Sequence, residues 1–308
     1  MLSFILLIFV GDMEKREVLI SIVVPVRNRA GIVGRTLESI SRQCYRPFEL
    51  IIVDNASTDG TGEFLKSWSE ANAGSGMEIS VAECSEPGAP SARNTGLALA
   101  RAPWVMFFDS DDTMSPTHLL AVARAIADNS TADIIGWDTT HIFLDGKKKT
   151  GRFYGSDMQH HNLFNGAMAT QRWCARTEFV RRAGAWDNAV TYWNDIELGS
   201  RMLALDPDIA YIGAGGVNVY ESSDSITAGG TADPTRMEAA LARIEKTLGA
   251  KGHGWCGIKR AIEYARIARL GAVDRRSIMR AWHPTLRQRL VFEYTLLGGR
   301  GAARLAAR

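Results

Sequence analysis

Residues Trp104-Val105-Met106-Phe107-Phe108-Asp109-Ser110-Asp111-Asp112 run from five apolar side chains straight into three carboxylates. The apolar run reads as a buried strand, and a helix-like segment follows from Pro116 to about Asp128. The acids therefore fall where a parallel strand should end, at the ligand crevice of an open α/β sheet. Packing gives an apolar strand no reason to end this way. Carboxylates so close repel unless a cation sits among them. Mg2+ or Mn2+, held by oxygens and by substrate phosphates, suits the place. The plain alternative is a solvated acidic turn capping the next helix. That reading suffices for Asp112; for Asp109 and Asp111 a metal or nucleotide contact is preferred.

Outward from this stretch the pattern alternates. Strands are expected near 18–25, 49–54, 78–83 and 104–109, with further strands at 133–137 and 209–212. Ile32, Val33, Thr36, Leu37 and Ile40 follow helical spacing between the first two strands. Gly60-Thr61-Gly62 opens a second helix through Phe64, Leu65 and Trp68. Ala92, Gly96 and Ala100 make a small-residue face that would pack close to a sheet. The βαβ order predicts an α/β fold with a mostly parallel, twisted sheet and flanking helices. No internal repeat interrupts it.

The composition is that of a globular protein: 308 residues, 46% hydrophobic, 23% charged. Cys44, Cys84, Cys174 and Cys256 lie far apart, with no CxxC pair. They read as reduced thiols of a cytoplasmic protein, not as a zinc site or a disulfide framework. The apolar segment from Leu2 to Val10 is too short to span a bilayer and lacks the flanks of a secretory signal. No catalytic role is expected for it.

Four more segments accompany the acidic strand: Ser21-Ile22-Val23-Val24-Pro25-Val26-Arg27-Asn28-Arg29, Val53-Asp54-Asn55-Ala56-Ser57-Thr58-Asp59-Gly60-Thr61, Ala89-Pro90-Ser91-Ala92-Arg93-Asn94-Thr95-Gly96, and Tyr192-Trp193-Asn194-Asp195-Ile196-Glu197. In this order and spacing, over residues 20 to 228, the chain resembles the family 2 glycosyltransferases with their GT-A fold. The resemblance implies an inverting enzyme that moves a sugar from a nucleotide diphosphate donor, a UDP-sugar, to a hydroxyl of a saccharide or lipid-linked acceptor. Surface polysaccharide synthesis is the usual setting. Four regions follow: an apolar N-terminal segment (1–17), a nucleotide-sugar-binding half (18–130), an acceptor-binding half (131–230) and a basic helical extension (231–308).

The same resemblance distributes roles. Asp111 becomes the direct ligand of Mn2+ or Mg2+, with Asp109 at the ribose or the metal's outer shell and Ser110 between them at the nucleotide. Asp54 becomes the acceptor for the uracil imide N–H; read alone, it is a turn residue beside Asn55. Pro25-Val26-Arg27 matches a stretch that lies against the base, where the Arg27 guanidinium would stack in place of an aromatic ring. Arg93 becomes a nucleotide contact and Gly96 a packing position. Asp195 becomes the catalytic base, with a plain helix cap as the alternative. The family usually has Glu-Asp there. Asn194 removes the neighbouring acid, so Asp195 should lack the upward pKa push of a like charge, and a helix N-terminus should lower it further. Trp193 is read as a sugar platform, and Trp137, Trp173 and Trp186 as core. Relatives often complete the metal site with a histidine; the matching region, Tyr220 to Thr227, has none, leaving Glu221, Asp224, phosphate or water for the task.

Two other readings compete. A sugar-phosphate nucleotidyltransferase would want a Gly-rich loop near the N-terminus, and Val24 to Asn28 has no glycine. A nucleotide-sugar-binding protein without turnover is kept in view by Asn194 and the missing histidine. No nucleic-acid partner is expected.

The charge is uneven. From Lys259 onward twelve basic residues face three acidic ones, a net of +9 in a chain whose total is +2. Leu286, Leu290, Tyr294 and Leu297 form a helical stripe there, flanked by Arg287 and Arg289. Either the stripe packs on the catalytic domain and the arginines face water, or it makes a peripheral contact with an anionic membrane. Packing is the preferred reading.

Overall fold

The computed structural model describes residues 18–221 and 233–305. The expectations for residues 1–17 and for Asp224 fall outside them.

Three apolar strands and one largely exposed edge strand, β3, form the first half of the sheet: β1 (Ile20–Val26), β2 (Phe48–Asp54), β3 (Met77–Glu83) and β4 (Trp104–Phe107). All are parallel, in the spatial order β3-β2-β1-β4. Helices α1 (Val33–Ser41), α2 (Thr61–Ala71) and α3 (Ala89–Leu99) make the crossovers. Val26 pairs with Asp54, and Asp54 with Glu83, so the strands end level and their loops share one rim.

Beyond β4 the sheet becomes mixed. The short β5 (Thr113–Met114) leads into α4 (His118–Asp128). Then come β6 (Ile134–Ile142), β7 (Lys148–Gly151), α5 (Met158–Asn165), β8 (Trp173–Arg176), α6 (Thr177–Arg182), α7 (Asn194–Ala204) and β9 (Ile209–Tyr220). Strand β8 enters antiparallel between β4 and β6, while β9 runs parallel to β6 and antiparallel to β5.

Alternating side chains feed two cores, as a strand buried on both faces requires. Ile22, Val24, Leu50, Ile52 and Met106 face Leu37, Leu119 and Val122 of α1 and α4. Val23, Ile51, Val53, Val105 and Phe107 face Ala92 and Leu97 of α3, with Leu198 and Met202 of α7 in the same cluster. Gly96 is where α3 touches β1: a Cβ there would come within 2.2 Å of Val23 Cγ1.

The basic extension is helical, as expected. It comprises α8 (Pro234–Arg269, kinked at Gly249), α9 (Arg275–Trp282) and α10 (Leu286–Leu296). A third core joins it to the rest: Leu241, Ile244, Ile262 and Phe292 pack with Leu163, Tyr192 and Ile196. The extension is thus docked on the start of α7.

One expectation needs correction. Val291, Phe292 and Thr295 are the buried face of α10, whereas Leu286, Leu290, Tyr294 and Leu297 are 76%, 62%, 50% and 88% exposed. The preferred packing of that stripe on the catalytic domain does not occur, because the opposite face fills the core. His160 and His161 belong to α5, where His160 packs tilted against Phe164 and meets Trp255 edge-on, and His161 hydrogen-bonds the Arg152 carbonyl and Asn165. Among the described residues no helix is long and apolar enough to cross a membrane.

Candidate active site

The level strand ends put three loops side by side, and polar side chains lock them together. The Asn28 side-chain oxygen accepts from Thr58 N–H at 2.8 Å, and Ser57 Oγ accepts from Asn28 N–H at 3.0 Å. Thr61 Oγ1 accepts from Arg29 N–H at 2.9 Å. Ser57, Thr58 and Asp59 are therefore turn and bridge residues. Asn55 does the same on the other side: its amide donates to the Cys84 and Glu86 carbonyls and its oxygen accepts from Gly88 N–H, just before α3.

Asp54 sits between these bridges at the end of β2. It is buried, and its Oδ1 accepts from Ser57 N–H at 3.2 Å. Its Oδ2 lies beside Gly62, where a Cβ would come to 3.0 Å, so a larger residue there would crowd the carboxylate. Arg27 is exposed and Pro25 half-buried on the same rim. Val26 is different. Its side chain is in the core and its carbonyl accepts from Asn55 N–H, because it is the last in-register residue of β1. As a side chain, Val26 leaves the nucleotide site.

The acidic loop is held from several directions. Asp109 accepts from Arg93 Nη2 at 2.7 Å on one oxygen and from Gln171 Nε2 on the other. Ser110 is buried beside it. Arg35 Nη2 donates to the Asp111 carbonyl at 2.5 Å, and Thr36 Oγ1 to the Asp112 carbonyl at 2.8 Å, so α1 clamps the loop's backbone. Asp112 is buried and accepts from Tyr220 N–H at 2.9 Å, which ties the loop to the end of β9. It is a structural strut, not a solvated cap. Asp111 keeps its carboxylate facing the crevice, with Arg29 Nη2 4.0 Å from Oδ2. Burial raises the pKa of Asp111, and the Asp109 carboxylate raises it further. Burial likewise pushes Asp112 well above the ordinary carboxylate range, with Asp109 and Asp111 adding to the effect.

Arg93 is the hub. Nearly buried on α3, it reaches Asp109 with Nη2 and the Asn194 side-chain oxygen with Nη1 at 3.0 Å, and its guanidinium lies 4.4 Å over the Trp186 ring. One arginine thus joins the acidic end of β4 to the first turn of α7. Asn194, where the family usually has an acid, supplies an uncharged acceptor to it.

Asp195 follows in the same turn. The helix cap is Trp193, in a left-handed conformation (φ 52°) with no side-chain cap bond, so the cap reading of Asp195 fails. Its Oδ1 accepts only from the adjacent Ile196 N–H, at 2.9 Å, among the hydrogen bonds of the described residues. The expected downward pKa also fails. Burial raises the Asp195 carboxyl; Ile196 N–H and Arg93 pull it down, and Asp109 adds to the rise. The like charge that Asn194 withholds is supplied across the crevice. A partly dehydrated carboxylate with a raised pKa is what a general base requires. Trp193 is partly buried against Tyr192, with Lys259 Nζ 4.5 Å from its ring centre. One of its faces is therefore occupied.

Gln171, Trp186, Arg29 and Arg35 escaped the sequence reading. Gln171 precedes β8 and has only the Gln171-Arg172-Trp173 run to mark it. Trp186 was assigned to core, and it is buried, but one ring face carries Arg93. The Glu221 carboxylate accepts from Leu144 N–H at the β6–β7 turn. Among the described residues no group of three or more His, Cys, Asp or Glu side chains could hold a metal. Asp111 and Asp109 nevertheless fit a Mg2+ or Mn2+ ion. Despite Arg29, burial and the Asp109 carboxylate leave Asp111 with a raised pKa, a place where a further cation would be favoured, and these ions are often held by one or two carboxylates plus phosphate and water.

The comparisons agree with this geometry. The chain is 32% identical over 117 residues to the glycosyltransferase GlyA of Streptococcus pneumoniae, covering 38% of this chain and 16% of that protein. It spans less than half the length of the first curated relatives it matches. Among solved structures, S. aureus TarS 1–349 in complex with UDP superposes with a TM-score of 0.58 at 16% identity, over 94% of this chain and 80% of that one. The mannosyltransferase PcManGT from Pyrobaculum calidifontis, in complex with GDP-Man and Mn2+, gives 0.55 at 17%, over 95% and 90%. At such identities the likeness concerns the GT-A-like fold. The sequence family described as Glycosyl transferase family 2 matches residues 21–181, more than half of the chain and the whole rim that carries Asp54, Arg93, Asp109 and Asp111. The chain belongs to glycosyltransferase family 2.

Proposed function

We propose that the protein is an inverting glycosyltransferase that takes a sugar from a UDP-sugar, with Asp195 as base. The observation that carries this reading is the double reach of Arg93, which brings the Asp109–Asp111 loop and the Asp195 turn to one crevice. Donor binding falls to the rim: Asp54 accepts the uracil imide N–H, Arg27 stacks on the base, and Asp109 and Ser110 face the ribose and diphosphate. Asp111 and Asp109 hold Mn2+ or Mg2+, which when bound neutralises the leaving diphosphate. Asp195 takes the proton of an acceptor hydroxyl. The hydroxyl oxygen then bonds to the anomeric carbon as the bond from that carbon to the diphosphate oxygen breaks, inverting the centre and releasing UDP.

The carboxylate of Asp195 is suited to this by its environment. Its raised pKa gives it basicity that an exposed aspartate lacks, and Arg93 lies near enough to stabilise it once ionised. Trp193, at the same turn, is the aromatic surface for the acceptor sugar. PcManGT binds GDP-Man and TarS binds UDP; the single carboxylate of Asp54 suits the single imide N–H of uracil. The four cysteines are free, which suits the reducing cytoplasm, and we place the reaction there. Thermal-shift titration with UDP-, GDP- and ADP-sugars, with and without Mn2+, tests the donor. Mn2+-dependent stabilisation by UDP-sugars alone is expected, and preference for GDP-sugars would remove the uracil assignment. A nucleotide-sugar-binding protein without turnover would show the same shift but release no UDP in the presence of any acceptor.

A further inference from the structure

We propose that the outer face of α10 is a docking surface for an anionic lipid bilayer. The helix has two apolar faces. Val291, Phe292 and Thr295 are spent on the third core, while Leu286, Leu290, Tyr294 and Leu297 stay in water over three turns. The three leucines are 62–88% exposed, while Tyr294 is half-covered, with Gly299 against its ring and its hydroxyl donating to the Arg300 carbonyl. The C-terminal end of α8 comes alongside: the Arg269 guanidinium lies near Gly298, and Leu270 is 68% exposed. Leucine and tyrosine in such a row resemble the apolar side of an interfacial helix, where a shallow insertion of side chains replaces folding contacts.

The charge around the row selects the occupant. Arg276, Arg280, Arg289 and Arg300 are exposed, and none forms a salt bridge with a carboxylate among the described residues. Arg287 flanks the same row and is exposed. Glu293 is the one acid on this helix, and it is neutralised by Arg275. The segment from Lys259 onward carries +9. A second copy of the chain docking face to face would bring two such fields together, which disfavours a symmetric dimer through the stripe. A bilayer of anionic lipid meets both requirements at once: acyl chains for the leucines and headgroup charge for the arginines, whose stems allow the charge to reach the headgroups. The surface also stands close to the site. Lys259 on α8 lies over Trp193, and Leu270 is eleven residues further along that helix, roughly 16 Å at helical rise. A bilayer there would lie within reach of an acceptor whose lipid end is embedded.

The test uses the full chain and does not depend on glycosyl transfer. Co-flotation with vesicles of phosphatidylcholine, with and without 30% phosphatidylglycerol, is measured at low and high salt, beside the triple variant Leu286→Ser, Leu290→Ser, Leu297→Ser and the variant Arg289→Gln, Arg300→Gln. Circular dichroism confirms that the variants fold. Binding to phosphatidylglycerol vesicles that weakens with salt, falls at least about tenfold in the leucine variant and falls less in the arginine variant supports the surface. Wild-type protein that ignores these vesicles at low salt overturns it, as does binding indifferent to the leucines. A concentration-dependent dimer that the leucine variant abolishes, with no vesicle binding, would assign the face to a second copy instead and also overturns it.

Discussion

The acidic crevice and the basic tail both concentrate charge, and they hold it in opposite ways. In the crevice every carboxylate of the β4 loop has a defined partner or direction: Asp109 between Arg93 and Gln171, Asp112 on Tyr220 N–H, Asp111 over the cleft with its backbone clamped by Arg35. In the tail Arg276, Arg280, Arg289 and Arg300 stand in water beside uncovered leucines. Charge gripped by buried donors has a fixed direction, which suits a ligand of fixed shape such as a diphosphate with its cation. Charge on long side chains in solvent suits a partner without fixed geometry. The difference also sets what substitution should do: large, specific losses in the first region and small ones in the second.

The largest effect is expected at Asp111. Asp111→Ala should lower turnover at least about 10³-fold, the several kcal/mol that a cation supplies at a leaving phosphate. Mn2+-dependent binding of UDP, followed by calorimetry, should vanish with it. Wild-type turnover in Mn2+ would break the comparison at its strongest point. Stability should move the other way. Burial and Asp109 raise the pKa of Asp111, so its ionised form burdens the metal-free fold as pH rises through that raised value. Asp111→Asn should therefore melt higher than wild type at pH 7, and the gain should disappear below the ordinary aspartate value of about 3.9.

Next comes Asp195. Asp195→Asn should keep donor affinity and slow transfer by about 10²-fold or more, the usual loss of a general base. The wild-type rate should fall with acid through a pKa above the ordinary aspartate value, since burial and Asp109 raise it. Asp109→Asn should move that acid limb downward by removing the like charge. An unmoved limb would mean that Asp109 and Asp195 do not share a crevice.

A smaller effect is expected at Asp54. Asp54→Ala should weaken UDP by about 1–3 kcal/mol, the scale for a buried donor left unpaired. Equal affinities in both proteins would take Asp54 out of the base pocket and leave it as the turn residue that accepts from Ser57.

The smallest effect belongs to the tail. Leu290→Ser should change the free energy of unfolding by no more than about 0.5 kcal/mol, as exposed positions do, and leave transfer to a water-soluble acceptor unaltered. A cooperative loss of several degrees in melting temperature would show that the stripe is covered in solution after all.

The parallel half of the sheet and the acid loop were legible from local pattern alone. Apolar runs of strand length, helical spacing from Ile32 to Ile40, and three acids after Phe108 need no distant contact to be recognised. The helical extension and its charge were legible for the same reason. Gln171 and Trp186 were not, because their importance lies in touching Asp109 and Arg93, which are 62 and 93 positions away in the chain. The direction of the Asp195 pKa was misread because its sign is decided by burial and by a carboxylate from the loop after β4. Val26 looked like a rim residue until register placed its side chain in the core.

What the sequence by itself determined was which segments form strands and helices and where acids and bases accumulate, since periodicity and composition are properties of neighbouring residues. Only the tertiary structure decided which of the two apolar faces of α10 is buried. Both satisfy helical spacing, and the choice was made by the room that Phe292 finds in the third core, against residues from α5, α7 and α8.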